Sequence, residues 1–284
     1  MAHPRKSSNL GTIGILSAIP EEIETLIQEL KPSNGGSGKA SSRESGRRRY
    51  HHGLLFGRPV VLVFSRIGKV AAATTATHLI LEHDVTEILF TGVAGSADPQ
   101  FGIGDIVVAD LLYQHDMDAS PLFPRHEIPL LGRQAIHATP DHRDRLLAAA
   151  QRFLARDLDR YVPPAIQREF HIRRPKAAAA TIASGDKFFN KQADKDELKR
   201  RLTDVCAIEM EGAAVAQVCY EYGIPFSVIR TISDTADESA PVDFTRFIKF
   251  IASAYAKGIL HALLTQPERQ TAKAQSKSRP KANG

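Results

Sequence analysis

The sequence predicts an α/β fold around a buried sheet. Short apolar runs rich in β-branched residues, such as residues 12–18 (TIGILSA) and 226–232, read as strands buried on both faces. Helical patterns of small and apolar residues alternate with them, and Gly or Pro separates the two kinds. Residues 206–238 show the whole unit. An apolar run ends in Glu209 and Glu211, a helix covers residues 213–222 until Gly223, and a second strand ends in Ser233-Asp234. Acid groups therefore stand where strands stop, and ligands of open α/β sheets bind outside strand carboxyl ends.

The other elements follow in order. Residues 12–18 form the first strand. Pro20 suits the first turn of a helix, and Glu21 and Glu22 complement its positive end. That dipole role is the plain reading of both glutamates. Ile23, Leu26, Ile27 and Leu30 recur at helical spacing. Pro32 and a Gly/Ser/Lys/Arg-rich run then predict a flexible basic insertion over residues 33–49. Residues 54–56 and 59–64 read as paired strands around Gly57-Arg58. Ile67-Gly68-Lys69 opens an Ala/Thr-rich helix to about residue 83. A strand at 87–90 enters the small-residue turn 91–96, where backbone approaches a ligand.

A long strand is expected over residues 106–115. The proline-rich stretch 116–133 reads as a structured loop whose Leu122, Phe123 and Leu130 need cover. Residues 141–158 form an amphipathic helix, and 160–174 fit neither helix nor strand clearly. A strand at 176–183 feeds Ser184-Gly185-Asp186. A charged helix covers 191–202. Asp243 caps a last helix with a core stripe of Phe247, Ile248, Ile251, Tyr255, Ile259 and Leu263. No repeat or composition break divides residues 12–265, so one domain is expected between a disordered N-terminus (1–11) and a disordered basic tail (266–284).

Composition narrows the function classes. No window reads as apolar for long enough to span a bilayer, and the first residues lack the apolar region of a secretory signal. The two cysteines have no metal-ligand spacing and read as reduced core thiols, which points to the cytoplasm. Residues 1–11, 33–49 and 266–284 carry +2, +4 and +4, so the rest of the chain is −5 against a total of +5. A nucleic-acid groove needs basicity on the folded face. Neither a nucleic-acid nor a membrane partner is expected.

Several stretches coincide with one family. They are Ile13-Gly14-Ile15 with Pro20-Glu21-Glu22, Ile67-Gly68-Lys69-Val70, and Thr91-Gly92-Val93-Ala94-Gly95 with Gly104-Asp105-Ile106-Val107-Val108. Ser184-Gly185-Asp186, Glu209-Met210-Glu211 and Ser233-Asp234-Thr235-Ala236-Asp237 follow. In this order they make the chain resemble the 5′-methylthioadenosine/S-adenosylhomocysteine nucleosidases of the purine-nucleoside-phosphorylase/uridine-phosphorylase superfamily. The resemblance covers about residues 12–265. It implies a three-layer αβα domain with a central mixed, partly barrel-like sheet, usually a homodimer. It implies hydrolysis of the N-glycosidic bond of 5′-thioadenosines without metal or cofactor, as in methionine salvage.

The resemblance also assigns residues. Asp234 holds a proton for adenine N7, and Ser233 orients it. Glu22 activates water. Glu211 accepts hydrogen bonds from the ribose hydroxyls, and Met210 lies against the sugar. Phe188 stacks on adenine, Phe189 offers backbone groups to its edge, and Phe244 lies near the ligand. For these three aromatics plain core packing is the competing reading. Glu209 stands with the substrate-binding residues, although local hydrogen bonding explains it as well. Asp237, Asp186, His115 and Asp116 read as structural.

The chain departs from the family at Val93 and Ile19, where many members have serine and methionine. Its loop 116–133 also differs in length and composition, with Phe123 and Pro124 as candidates for a neighbouring subunit's pocket. Phosphorolysis is a rival that rests on Arg66. A futalosine-type sister nucleosidase and a non-catalytic nucleoside-binding protein are two more. The preferred 5′-substituent is not legible.

Overall fold

A computed structural model describes residues 11–33 and 38–265. The readings for residues 1–10, 34–37 and 266–284 fall outside it.

The first strand, β1 (Ile13–Ser17), is buried along its whole length. A 3-10 turn (Pro20–Glu22) and helix α1 (Glu24–Glu29) follow. Strands β2 (Ser41–Ser45), β3 (Arg48–Leu55) and β4 (Arg58–Phe64) form an antiparallel meander. The flexible insertion expected over 33–49 is thus corrected for residues 41–49. Ser41–Ser45 pair with residues 48–52 in a regular ladder, which Ser/Arg/Glu composition does not signal.

Helix α2 (Lys69–Glu82) precedes β5 (Glu87–Ser96). The turn expected at 91–96 is a continuation of this strand. Its small residues are used for close approach within the sheet, with β10 (Phe226–Asp234) running parallel beside it. Next come β6 (Ile106–Gln114), the short β7 (Ala135–His137) and α3 (Pro140–Arg152). A π-helical turn links α3 to α4 (Leu158–Tyr161), and α5 (Pro164–Glu169) occupies the stretch that fitted neither type. Strand β8 (Ala177–Ser184), α6 (Gln192–Arg201), β9 (Val205–Glu209) and α7 (Gly212–Tyr222) complete the middle. Gly223 ends α7 in the left-handed conformation (φ 65°), as glycine does at such caps.

The last helical run begins at α8 (Ala240–Phe247) and passes through a π-turn into α9 (Ser253–Leu264). Asp243 does not cap it. It lies inside the first turn of α8, where its carboxylate accepts the Ser239 hydroxyl at 3.0 Å. Residues 243–264 also correct the hydropathy reading, being a 22-residue helical run that holds an 18-residue window of mean hydropathy 1.3. That length and composition suffice to cross a bilayer, but 61% of the window is buried inside the fold, so it packs as a core helix.

The sheet runs β10-β6-β8-β9-β5-β1-β4-β3-β2, and β10 also pairs with β5. Strands β10, β6, β8, β9 and β5 therefore close into a barrel, and β1 to β4 extend from it as an open wing. Two apolar cores flank the sheet. One packs α1, α3 and α9, and the other packs α2 and α7. These are the three layers that the resemblance implied. Parallel β1, β5 and β10 point the same way: β1 ends beside residue 90 of β5, β10 ends beside Gly95, and β9 pairs with residues 95–96 of β5.

Candidate active site

Each acid at these strand ends is held by nearby backbone. Glu22 sits in the turn after β1. Its Oε2 accepts the Ala18 and Ile19 amides at 2.9 and 3.2 Å, and its Oε1 accepts the Val93 amide at 3.1 Å. The carboxylate thus complements its own turn and also bridges to β5. A Cβ on Gly92 would stand 2.9 Å from Oε1, so only glycine leaves Glu22 this room. Burial pushes the Glu22 carboxyl above its usual range, against the opposing charge of Arg230 and the three amides.

Asp234 ends β10. The Ser233 hydroxyl lies 2.7 Å from Oδ2, and the Ala236 amide donates to Oδ1 at 2.9 Å. Desolvation raises the proton affinity of Asp234, although both hydrogen bonds oppose it. A side chain at Gly95 would press on this acid, because its Cβ would lie 2.8 Å from Oδ1 and 2.9 Å from the Ala236 Cβ.

The third group follows β9. Glu211 precedes α7, and its Oε1 accepts the Gly68 amide at 2.8 Å. Burial and the Glu209 charge raise its pKa to about 8, with Arg230 and the Gly68 amide pulling it down. Glu209 is engaged on both oxygens. It accepts the Glu211 and Gly212 amides, the Ser184 hydroxyl, and Arg230 through Nη2 at 2.6 Å and Nε at 3.2 Å. These bonds favour the local structural reading of Glu209.

Glu22, Glu211 and Asp234 line one cavity of about 300 Å³. Met210, Phe188, Phe189, Ser233, Phe244 and Glu209 line it too, so all nine sequence-derived site residues meet. Ile19, Ile67 and Val93 add apolar wall. Phe189 also belongs to a core cluster, whereas Phe188 is part-exposed and meets Phe244 edge-on at 5.7 Å. Pure core packing therefore does not describe Phe188. Phe123, Pro124 and Arg66 do not line the cavity. The Arg66 guanidinium donates instead to the Arg47 carbonyl at 2.7 Å. His115 and Asp116 also lie outside the lining; Asp116 accepts Lys69 Nζ at 2.6 Å and the Asp186 amide at 2.9 Å. Asp186 does more than shape its own turn, because its Oδ1 accepts the Lys69 amide at 2.8 Å.

Arg230 is the site residue that sequence reasoning missed. It is 1% exposed, lies 4.1 Å over the Phe90 ring, and donates to the Phe90 and Ile229 carbonyls. The signal was present: an arginine inside the apolar run FSVIRTI can be buried only with an acid partner. Among the described residues, no group of three or more His, Cys, Asp or Glu is placed to hold a metal ion.

A closed five-strand barrel with three acids converging on one apolar cavity defines a nucleoside phosphorylase-like protein. The sequence model of the phosphorylase superfamily matches residues 12–265, and the chain belongs to that superfamily. It is 32% identical over 236 residues to the 5′-methylthioadenosine/S-adenosylhomocysteine nucleosidase of Shewanella halifaxensis, covering 83% of this chain and 91% of that protein. It is 34% identical to the aminodeoxyfutalosine nucleosidase of Helicobacter pylori, over 86% and 95% of the two chains. Among solved structures it resembles the Neisseria meningitidis 5′-methylthioadenosine/S-adenosylhomocysteine nucleosidase in complex with methylthio-immucillin-A. That match has a TM-score of 0.76 and 27% identity, over 90% of this chain and 99% of the other.

Proposed function

We propose that this chain hydrolyses the N-glycosidic bond of 5′-methylthioadenosine/S-adenosylhomocysteine-type nucleosides, releasing adenine and a 5′-thioribose. The observation that carries the reading is the convergence of Glu22, Glu211 and Asp234 on one cavity. The two cations in its wall are already paired, Arg230 with Glu209 and Lys187 with Asp194 at 2.8 Å. Phosphate binding needs cationic donors aimed into the site, so water is the nucleophile this cavity favours.

The chemistry follows from the three environments. The C1′–N9 bond breaks with an oxocarbenium-like sugar, and its electron pair goes to the purine. Asp234, whose burial favours the protonated acid, delivers a proton to N7 so that adenine leaves neutral. Water adds to C1′ and gives a proton to Glu22, made more basic than a free carboxylate by burial. Glu211 holds the ribose hydroxyls. Phe188 and Phe189 take the base, and Phe244 and Met210 pack near the sugar and its 5′ group.

One nucleosidase domain over residues 12–265, working as a cytoplasmic homodimer in methionine salvage, completes the proposal. Dimerisation is favoured by Leu122 and Leu130, which are 84% and 93% exposed on the loop 116–133. The test is product analysis after incubation with methylthioadenosine, with and without phosphate. Adenine and free 5-methylthioribose are expected in both. A phosphate-dependent rate yielding ribose-1-phosphate products would overturn hydrolysis. Absence of adenine release would return the chain to nucleoside binding without catalysis. The second reading is the futalosine-type activity, favoured by the 34% identity to the Helicobacter pylori relative. Competition between 5′-substituted nucleosides separates the two.

A further inference from the structure

Arg48 stands at the start of β3, in the basic stretch where the sequence predicted a loop. It is 9% exposed, unusual for an arginine. Among the described residues its guanidinium meets no carboxylate. Nε donates to the Ser65 carbonyl at 3.2 Å, Nη1 to Gly46 at 3.0 Å and Nη2 to Ala71 at 3.3 Å. Ser65 and Ala71 bracket the link from β4 into α2. The β3–β4 ladder pairs residues 51–55 with 58–62 and goes no further. Beyond it, side chains tie the hairpin to the link. Arg48 reaches across one way, and Arg66 reaches back to the Arg47 carbonyl at 2.7 Å.

The bracketed link holds one non-glycine residue in the left-handed region, Arg66 at φ 75°. Such a conformation survives where surroundings over-determine it, whereas Gly68 adopts its φ of 99° without that cost. The conformation at Gly68 aims its amide at Glu211 Oε1, 2.8 Å away, while the neighbouring Ile67 lines the cavity.

We infer that Arg48 is a positioning residue for Glu211: it clamps both ends of the link whose Gly68 amide orients that carboxylate. The inference rests on the reading that Glu211 binds the sugar hydroxyls. The Gly68 amide also offsets part of the rise in Glu211 proton affinity, so releasing the clamp moves the ionisation of Glu211 upward.

The test compares Arg48→Met, Arg48→Lys and wild type on methylthioadenosine and its 2′-deoxy counterpart. Arg49→Ala, an exposed neighbour paired with Glu44, is the control. In Arg48→Met, kcat/KM for the ribo substrate should fall about tenfold and that for the deoxy substrate less, because the first sets two hydroxyls against Glu211 and the second only one. The pH midpoint of KM should move up. Arg48→Lys should lie between, and Arg49→Ala should match wild type. An unchanged ribo-to-deoxy ratio in Arg48→Met, or equal losses on both substrates, overturns the inference. If Arg48→Met does not fold, the ratio in Arg48→Lys decides in the same way. If wild type releases no adenine, the functional reading itself fails and this inference falls with it.

Discussion

Replacing Arg230 with methionine removes the only cation bonded to Glu209 among the described residues. The pair is 1% and 3% exposed in its side chains, with the shorter contact at 2.6 Å. Removing one partner of a buried pair costs about 3–5 kcal/mol, because the other charge stays buried. Glu209 keeps its Ser184 hydroxyl and its Glu211 and Gly212 amides, so the lower end applies, about 3 kcal/mol. For a chain of this size that corresponds to a melting temperature lower by about 6–12 °C. The chain has no tryptophan, so the assay is urea denaturation followed by far-ultraviolet circular dichroism. The double change Arg230→Met with Glu209→Gln should recover at least half the loss, since Gln keeps an oxygen for the amides and carries no charge. A single variant within about 1 kcal/mol of wild type would refute the pairing argument. So would a double variant no more stable than the single.

Asp234→Asn should lower kcat by orders of magnitude with a modest change in substrate affinity, since its proton matters most in the transition state; single-turnover kinetics beside equilibrium binding tests this. The raised pKa of Glu211 predicts a pH effect on stability. Between about 4.5 and about 8 the folded state holds a proton that the unfolded chain releases, so stability falls as pH rises through that window. Wild type should therefore lose melting temperature relative to Glu211→Gln from pH 5 to 8, and parallel curves would contradict the assignment. Gly95→Ala should displace Asp234 or the Ala236 turn and reduce kcat at least tenfold, with bound-state NMR or crystallography locating the shift; unchanged kinetics would show that the contact relaxes freely.

Much of this architecture was legible. Apolar β-branched runs marked β1, β5, β8 and β10, and the order of motifs placed their acid-tipped ends together. Glu211 and Asp234 stood out because they sit at strand ends, whereas Glu22, which reads plainly as a helix-dipole complement, was singled out by the order of motifs. Burial then decided what the sequence left open, as at Phe188, whose exposed face separates it from the core, and at Glu209, whose oxygens are spent on local bonds. What stayed hidden depends on pairing that composition does not signal. Ser41–Ser45 carry no strand pattern of their own and become a strand by bonding to the adjacent β3 in a hairpin. Residues 91–96 looked like a turn because small residues serve loops and closely packed strands alike. Arg230 required a partner 21 positions away that composition cannot point to.

The wing of the sheet ends, among the described residues, on β2, and this guards the protein against self-association. A terminal strand presents unpaired amides and carbonyls to any passing chain. Here that strand is five residues long, nearly all solvent-facing, and carries Arg43 and Glu44. The next strand inward is longer and holds Tyr50 and Leu55. Trimming residues 38–45 as dispensable would uncover that stickier rim and turn a soluble preparation into one that precipitates.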